Sequence, residues 1–187
     1  MSRPMSDVVE RAAEAALGLA AERPWTEVTL RNVAERAGLS FAELYLAAES
    51  KAAVVDAVSR RFDAAALAAV DGVGADEAVH DRLFEVVMAR VEAMEPQRAA
   101  LLAIAKAEGP APMAPRLLRT SRALLEGGGV DASGLRGTMR RAAMTAVWAR
   151  VLQVWRDDEG ALNRTMAEID KQLRAMRERL SRVGAGF

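Results

Sequence analysis

The sequence predicts an all-α protein of about nine helices, in which an N-terminal three-helix domain precedes a larger helical domain. Alanine, a strong helix former, is abundant, while aromatic residues make up only 4% of the chain. No segment shows the alternation of apolar and polar residues that is typical of a half-buried strand. Apolar residues instead recur every three or four positions between short breaks of glycine and proline.

The composition excludes several classes of protein. The 187 residues include no cysteine and a single histidine, His80, so disulfide frameworks, thiolate zinc sites and sites with two imidazoles are excluded. We therefore expect no enzyme activity, no metal and no cofactor. Twenty-six basic side chains balance 26 acidic ones, which argues against indiscriminate polyanion binding. With no signal-like N-terminus and no apolar run near the length of a membrane span, the expected location is cytoplasmic.

Capping residues predict where the first helices begin and end. Ser6 can cap a helix that runs to about Glu22. Thr29 is in position to cap a short helix from Leu30 to Ala37. Gly38 should end that helix, because glycine readily takes the left-handed conformation after a helix.

The next two helices have equally clear starts. Ser40 and Glu43 have the spacing of a capping box and begin a short helix over 41–48. Ser50 can cap a fourth helix that reaches Val70. The later helices are expected at 76–94, 96–108, 114–127, 134–157 and 160–183, separated by glycine and proline breaks.

Residues 29–51 have the pattern of a helix-turn-helix. Two short amphipathic helices meet at the three-residue turn Gly38–Ser40, and Ala34 and Ala37 allow close helix packing. Such a unit cannot bury its apolar faces alone, so the flanking helices should complete a small bundle. In DNA-binding examples the second helix enters the major groove, and capped helix N-termini bind phosphates.

This segment resembles the DNA-binding domain of TetR-family transcriptional regulators. The matching residues are Thr29, Val33, Ala34, Ala37, Gly38, Leu39, Ser40, Leu44, Tyr45, Ser50 and Lys51. The resemblance implies a homodimer that binds double-stranded operator DNA through residues 1–51, with a ligand-binding and dimerisation domain over 52–187. By position, the phosphate contacts would be Thr29, Ser40, Tyr45 and Lys51, and the residues facing the groove would be Arg31, Phe41, Ala42 and Glu43.

The charge of this N-terminal segment favours weaker DNA binding than the family pattern implies. Residues 1–51 contain six basic and eight acidic side chains, and 41–50 contain no lysine or arginine. Glu43 could accept a hydrogen bond from a cytosine amino group, or could serve only its capping box. Likewise Thr29 and Ser40 could act only as caps, and Tyr45 could only pack.

The last two helices predict a dimer interface. The final helix carries apolar residues at alternating steps of four and three, a pattern that favours near-parallel helix packing. The helix before it is apolar nearly all round, so it must be covered on more than one side. The expected interface residues are Met144, Val151, Trp155, Leu162, Met166, Ile169, Leu173 and Met176. The alternative is an ordinary monomeric core.

A ligand pocket for a small apolar molecule or a lipid is expected between the helices of residues 76–155. Flexible methionines and sparse aromatic residues suit an adaptable apolar cavity, although they suit any helical core as well. The candidate lining residues are Phe84, Met88, Leu101, Ile104, Met113, Leu117, Met139 and Trp148.

The C-terminal end is also similar to the ubiquinone-biosynthesis lipid-binding proteins that share the TetR fold. The residues that carry this second resemblance are Trp148, Trp155–Asp158 and Thr165–Asp170. It implies the alternative of a lipid-binding accessory protein without DNA binding. The basic final helix would allow peripheral contact with an anionic membrane, but a solvated outer face is the expected role of its charges.

Overall fold

The structure, a computed structural model, describes residues 4–72, 74, 77–158 and 160–187. This part of the chain contains α-helices, two short 3₁₀ helices and no strand, which confirms the all-α prediction. The α-helices are α1 (Met5–Glu22), α2 (Leu30–Ala37), α3 (Phe41–Ala47), α4 (Lys51–Val70), α5 (Val79–Met94), α6 (Arg98–Glu108), α7 (Met113–Gly127), α8 (Gly134–Arg156) and α9 (Asn163–Arg182). The 3₁₀ helices are Trp25–Glu27 and Glu95–Gln97.

Some helix starts differ from the sequence prediction. Ser6 does not cap α1, because Pro4 occupies the cap position and Ser6 lies inside the first turn. The fixed φ of proline suits this place, where no helical N–H is needed from it. The start expected at residue 76 lies outside the described residues. The last helix begins at Asn163 rather than 160, after Leu162, whose φ is 54°.

The chain divides into two compact units. Unit 1 contains the residues up to Arg61 together with Pro96–Met113, and unit 2 contains Phe62–Glu95 and Ala114–Phe187. Unit 1 thus includes α6, and the expected functional boundary at residue 51 stays a prediction. In unit 1, α1 packs against α2, α3 and α6. Its core is rich in small side chains and includes the fully buried Ala16, Val33 and Leu44.

Unit 2 is built on the packing of α9 against α8 and α5. Its largest fully buried side chains include Trp148, Leu83 and Leu173. The buried Asp158 carboxylate fixes the start of α9, because it accepts hydrogen bonds from the backbone N–H and the hydroxyl of Thr165, each at 2.7 Å. No helix in the described ranges is long and apolar enough to cross a membrane.

Candidate nucleic-acid interface

The helix-turn-helix of unit 1 depends on the turn between α2 and α3. Gly38 adopts a left-handed conformation with φ 62°, and the Leu39 N–H donates to the Ala34 carbonyl at 2.9 Å. This bond pattern ends α2 and redirects the chain into α3. A Cβ atom at position 38 would lie 2.9 Å from Arg11 Nη2. The buried Leu39 anchors the turn, so the angle between the helices is fixed by local sequence.

Thr29 caps α2 through a closed set of hydrogen bonds. The Asn32 N–H donates to Thr29 Oγ1 at 3.2 Å, and Asn32 Oδ1 accepts from the Thr29 N–H at 3.0 Å. The Thr29 hydroxyl donates to the same Oδ1 atom at 2.9 Å. The threonine is exposed, so its oxygen lies at the surface. In this arrangement its hydroxyl proton is donated to Asn32, so a hydrogen bond from this hydroxyl to a phosphate would require that bond to break.

Ser40 and Glu43 form the expected capping box at the start of α3. The Glu43 N–H donates to Ser40 Oγ at 3.2 Å. Glu43 Oε2 accepts from the Ser40 N–H at 2.8 Å and from the Ser40 hydroxyl at 2.7 Å. The carboxylate of Glu43 is thus held at the helix end, where it also interacts favourably with the helix dipole. Its role as a base reader stays a prediction.

The outer face of α3 is apolar. Leu44 is fully buried, and the opposite side of the helix carries Ala42 and Leu46. Leu46 is 79% exposed and Tyr45 is 51% exposed. Phe41 is half-buried, and the Arg31 guanidinium lies 4.6 Å from the centre of its ring. Of the residues expected to face the groove, Arg31 and Phe41 are in contact and Ala42 is exposed, and their contact with DNA stays a prediction.

The side chain of Lys51 is hydrogen-bonded to the backbone of unit 1. Its Nζ atom donates to the carbonyl oxygens of Trp25 and Val28 at 2.7 and 2.6 Å, and it lies 4.7 Å from the centre of the Trp25 ring. Burial lowers the pKa of Lys51, while the Glu108 carboxylate acts in the opposite direction. These contacts make Lys51 a tether for the segment before α2. The phosphate contact implied by the resemblance would require the side chain to leave them.

Other cations of this unit are paired with carboxylates. Arg36 donates to both carboxylate oxygens of Glu22, to Oε1 at 2.9 Å and also to Oε2. The hydrogen bond from Arg36 is the main reason that the pKa of Glu22 is lowered. Arg61 lies 3.0 Å from Glu10. Arg36 and Arg61 would therefore have to leave these carboxylates in order to bind a phosphate.

Unit 2 contains a buried ionic cluster in its core. Arg90 Nε donates to Asp63 Oδ1 at 2.7 Å, and the Thr120 hydroxyl donates to the same oxygen at 2.9 Å. The Arg90 guanidinium also lies 4.7 Å from the centre of the Trp148 ring. Burial lowers the pKa of Arg90, and the charge of Asp63 opposes that shift. The cluster joins α4, α5, α7 and α8.

The predicted pocket residues are divided between the two units. Those in unit 1 are Leu101, Ile104 and Met113, and those in unit 2 are Phe84, Met88, Leu117, Met139 and Trp148. Trp148 is buried beside Arg90, whereas Met139 is exposed. Phe84 borders an open, mainly apolar depression of about 410 Å³ between α5 and α9, together with His80 and Met166. As a set, the pocket stays a prediction.

The predicted dimer residues lie mostly inside unit 2. The six that are buried within the chain itself are Met144, Val151, Trp155, Ile169, Leu173 and Met176. Leu162 is half-buried, and Met166 is exposed. The opposite face of α8 is largely accessible and carries a stripe of apolar and small residues that ends in a glutamine. We call it the α8 stripe: Leu135, Met139, Ala142, Ala146, Ala149 and Gln153.

Acidic neighbours accompany several basic residues of α9. Arg174 lies 3.0 Å from Asp170, and Arg182 lies 3.8 Å from Glu178. Glu168 pairs with Lys171 at 3.8 Å and with Arg150 of α8 at 3.0 Å. The basic side chains of α9 are thus partly neutralised by neighbouring carboxylates, and the peripheral membrane contact of this helix stays untested.

Comparison with known proteins identifies the class. Residues 12–58 match the family described as bacterial regulatory proteins, tetR family. The helix-turn-helix is therefore of the TetR type. The sequence matches no protein among those with curated descriptions.

Solved structures extend the similarity to the whole fold. A TetR transcriptional regulator from Nitrosomonas europaea ATCC 19718 has a TM-score of 0.68 at 23% identity, with 93% of this chain and 98% of that chain covered. One from Rhodococcus sp. RHA1 has a TM-score of 0.68 at 19% identity, covering 91% and 95%. A tetR-family regulator from Streptomyces coelicolor has a TM-score of 0.58 at 17% identity, covering 99% and 84%. The resemblance to TetR-family regulators is confirmed: residues 12–58 match the model of that family, and the chain has the fold of these regulators.

Two features of the site were missed from the sequence. The exposure of Leu46 followed from its position opposite Leu44 on a short helix, a signal that was available from helical periodicity. The Asp63–Arg90 pair had no such signal, because its partners are 27 residues apart and charged residues are rarely fully buried.

Proposed function

We propose that this protein is a transcriptional regulator that binds operator DNA through α2 and α3. The observation that carries this proposal is a helix-turn-helix of the TetR type with an exposed second helix. The major groove of DNA is wide enough to admit an exposed α-helix such as α3. Capping boxes stabilise the N-termini of both α2 and α3.

The phosphate contacts of this domain should be few. Each phosphate contact releases counterions, so the logarithm of the affinity falls with the logarithm of salt concentration at about 0.9 per contact. Because Arg36 and Lys51 are engaged within the unit, we expect specific binding with a slope of about −4 or shallower for a dimer. Fluorescence anisotropy with DNA from upstream of the protein's own coding region tests this, with unrelated DNA as the control. Equal affinity for both DNAs at low salt would contradict the proposal.

We further propose that two copies associate through the α8 stripe. Its members recur at steps of four and three, and small side chains at Ala142 and Ala146 allow two helices to approach closely. Leu135, at one end of the stripe, is 82% exposed in the single chain. Burial of such a stripe against its symmetry mate would be favourable.

A charge placed in the stripe tests the interface. Ala146→Glu should convert a dimer into a monomer in light scattering at micromolar concentration, because two carboxylates would be buried near each other. Ala64→Glu, on the exposed side of α4, is the matched control and should remain dimeric. A monomeric parent protein, or a dimeric Ala146→Glu variant, would refute this interface.

A small apolar ligand or a lipid is proposed to regulate the DNA affinity. Support comes from the family resemblance and from the apolar depression beside Phe84 and Met166. A ligand that prefers one conformation of the dimer would shift the population that fits two half-sites about one helical turn apart. Mass spectrometry of co-purified molecules, followed by anisotropy with and without them, tests this response. A bound molecule that leaves the DNA affinity unchanged would contradict it.

The alternative function is that of a lipid-binding accessory protein that does not bind DNA. The observation that favours it is the acidic N-terminal segment, in which Arg36 is paired and Lys51 is engaged with carbonyls. This alternative requires a stoichiometric co-purifying lipid and no sequence-specific DNA binding at low salt. The same anisotropy and mass spectrometry experiments therefore separate the two functions.

A further inference from the structure

The side chains of α3 restrict which bases this helix can recognise. Its sequence, Phe41 to Ala47, contains no lysine, arginine, asparagine, glutamine or histidine. Guanine presents two acceptors in the major groove, and adenine is read by a side-chain amide. Among the α3 side chains, only the Tyr45 hydroxyl can donate a hydrogen bond. The helix therefore lacks the groups that usually read either purine.

The carboxylate of Glu43 on α3 is already hydrogen-bonded within the protein. Glu43 could read a cytosine amino group, but its Oε2 atom already accepts from the N–H and the hydroxyl of Ser40. Moving the carboxylate into the groove would break the capping box that starts the helix. What the helix offers to a base edge is chiefly apolar surface.

That apolar surface has a definite shape. Ala42 and Leu46 are four residues apart, so they are neighbours on one helix face, and both are exposed. Their Cβ atoms are about 6 Å apart, a separation close to two steps of a duplex that rises about 3.4 Å per base pair. The feature of the major groove that apolar side chains recognise is the C5-methyl group of thymine.

We propose that α3 reads its operator mainly through thymine methyl groups contacted by Ala42 and Leu46. This inference rests on the proposed DNA-binding function and specifies its substrate: half-sites with thymines at the positions that face α3. Burial of a methyl group against Leu46 removes apolar surface from water on both molecules. Arg31, whose guanidinium lies over Phe41 at the edge of this surface, is the nearest cationic group for a guanine beside the thymines.

The test uses the full-length protein and deoxyuridine, which lacks only the methyl group. Sites are first enriched from a random DNA library, and each half-site thymine is then replaced in turn by deoxyuridine. Anisotropy at fixed salt should show binding weakened about fourfold for each methyl group in contact with α3. Replacement of thymines in the flanking DNA should leave the affinity unchanged.

A variant assigns the effect to this helix. Leu46→Ala should weaken binding to the thymine operator and bring the thymine-to-uracil affinity ratio at its position close to one. Leu118→Ala, at an exposed leucine of α7, is the control and should keep the full ratio. Because the deoxyuridine series uses the unaltered protein, its result does not depend on the folding of either variant.

The outcomes are distinguishable. Enriched half-sites without thymine, or uracil operators that bind as well as thymine operators, would overturn the methyl readout while leaving DNA binding intact. The apolar face of α3 would then be assigned to a protein contact. Failure to enrich any sequence would overturn the proposed function together with this inference.

Discussion

Replacement of Asp63 by asparagine should destabilise unit 2 strongly. The carboxylate of Asp63 accepts from Arg90 at 2.7 Å and from Thr120 at 2.9 Å, and all three side chains are buried. Asparagine has nearly the same shape but no charge, so Arg90 would remain charged in the core without this carboxylate. The Trp148 ring on its other face compensates only weakly for a lost ion pair.

Asp63→Asn should remove a large fraction of the free energy of unfolding. Removal of one partner from a buried ion pair costs about 3–5 kcal/mol, whereas a whole domain is stable by about 5–15 kcal/mol. Urea unfolding followed by far-UV circular dichroism should therefore show a marked fall in midpoint for Asp63→Asn. A double variant, Asp63→Leu with Arg90→Met, should recover most of the loss, because neither charge then remains buried.

A surface ion pair gives the matched control. Glu10 and Arg61 are 3.0 Å apart, but their side chains are 54% and 41% exposed. Glu10→Gln should cost less than about 1 kcal/mol, since water screens such pairs. If Asp63→Asn were no more destabilising than Glu10→Gln, the reasoning about the buried cluster would be refuted.

Three further results are expected from single substitutions. Ser40→Ala should lower the free energy of unfolding by about 1 kcal/mol, because α3 loses its cap. Ser6→Ala is the control: Ser6 lies inside the first turn of α1, so this change should alter the free energy of unfolding by less than about 0.5 kcal/mol. Comparable losses for the two variants would contradict the cap assignment. Lys51→Met should destabilise the DNA-free protein by about 1–3 kcal/mol in urea, because two backbone carbonyls lose a charged donor; an unchanged midpoint would argue for a phosphate contact alone. The pKa of Glu168 is lowered, chiefly by a hydrogen bond from Gln172, so its stabilisation is present above its ordinary value of 4.5 and is lost as the pH falls through the folded value. Glu168→Gln should thus flatten the acid branch of the stability profile relative to the parent protein; parallel profiles of the variant and the parent would refute this linkage.

The sequence was most informative where structure is set locally. The Thr29 and Ser40 caps and the Gly38 turn each depend on residues within a few positions of one another, and all three have the expected geometry. The α8 stripe, which we propose as the dimer surface, was harder to predict. Because α8 is apolar nearly all round, periodicity could not tell which side faces α9, and the structure places Met144 inside and Ala146 outside.

The sequence also could not decide which residues of the helix-turn-helix are available to DNA. Their position on the helix-turn-helix followed from the sequence pattern, but the hydrogen bonds that hold Glu43 in a capping box and Lys51 against two carbonyls required the structure. Both residues had two physically reasonable roles in the sequence. Only distances between atoms distinguish a side chain that is available to DNA from one that is already bonded within the protein.

Hydroxyl-radical footprinting on a DNA site enriched by this protein is the decisive test of operator binding by two copies. We expect two symmetry-related protected half-sites whose centres are about 10 base pairs, or a multiple of one helical turn, apart. That pattern would show DNA binding and the paired arrangement of two helix-turn-helix domains in a single experiment. Uniform cleavage along every enriched sequence at low salt would contradict the assignment of this protein as a DNA-binding regulator.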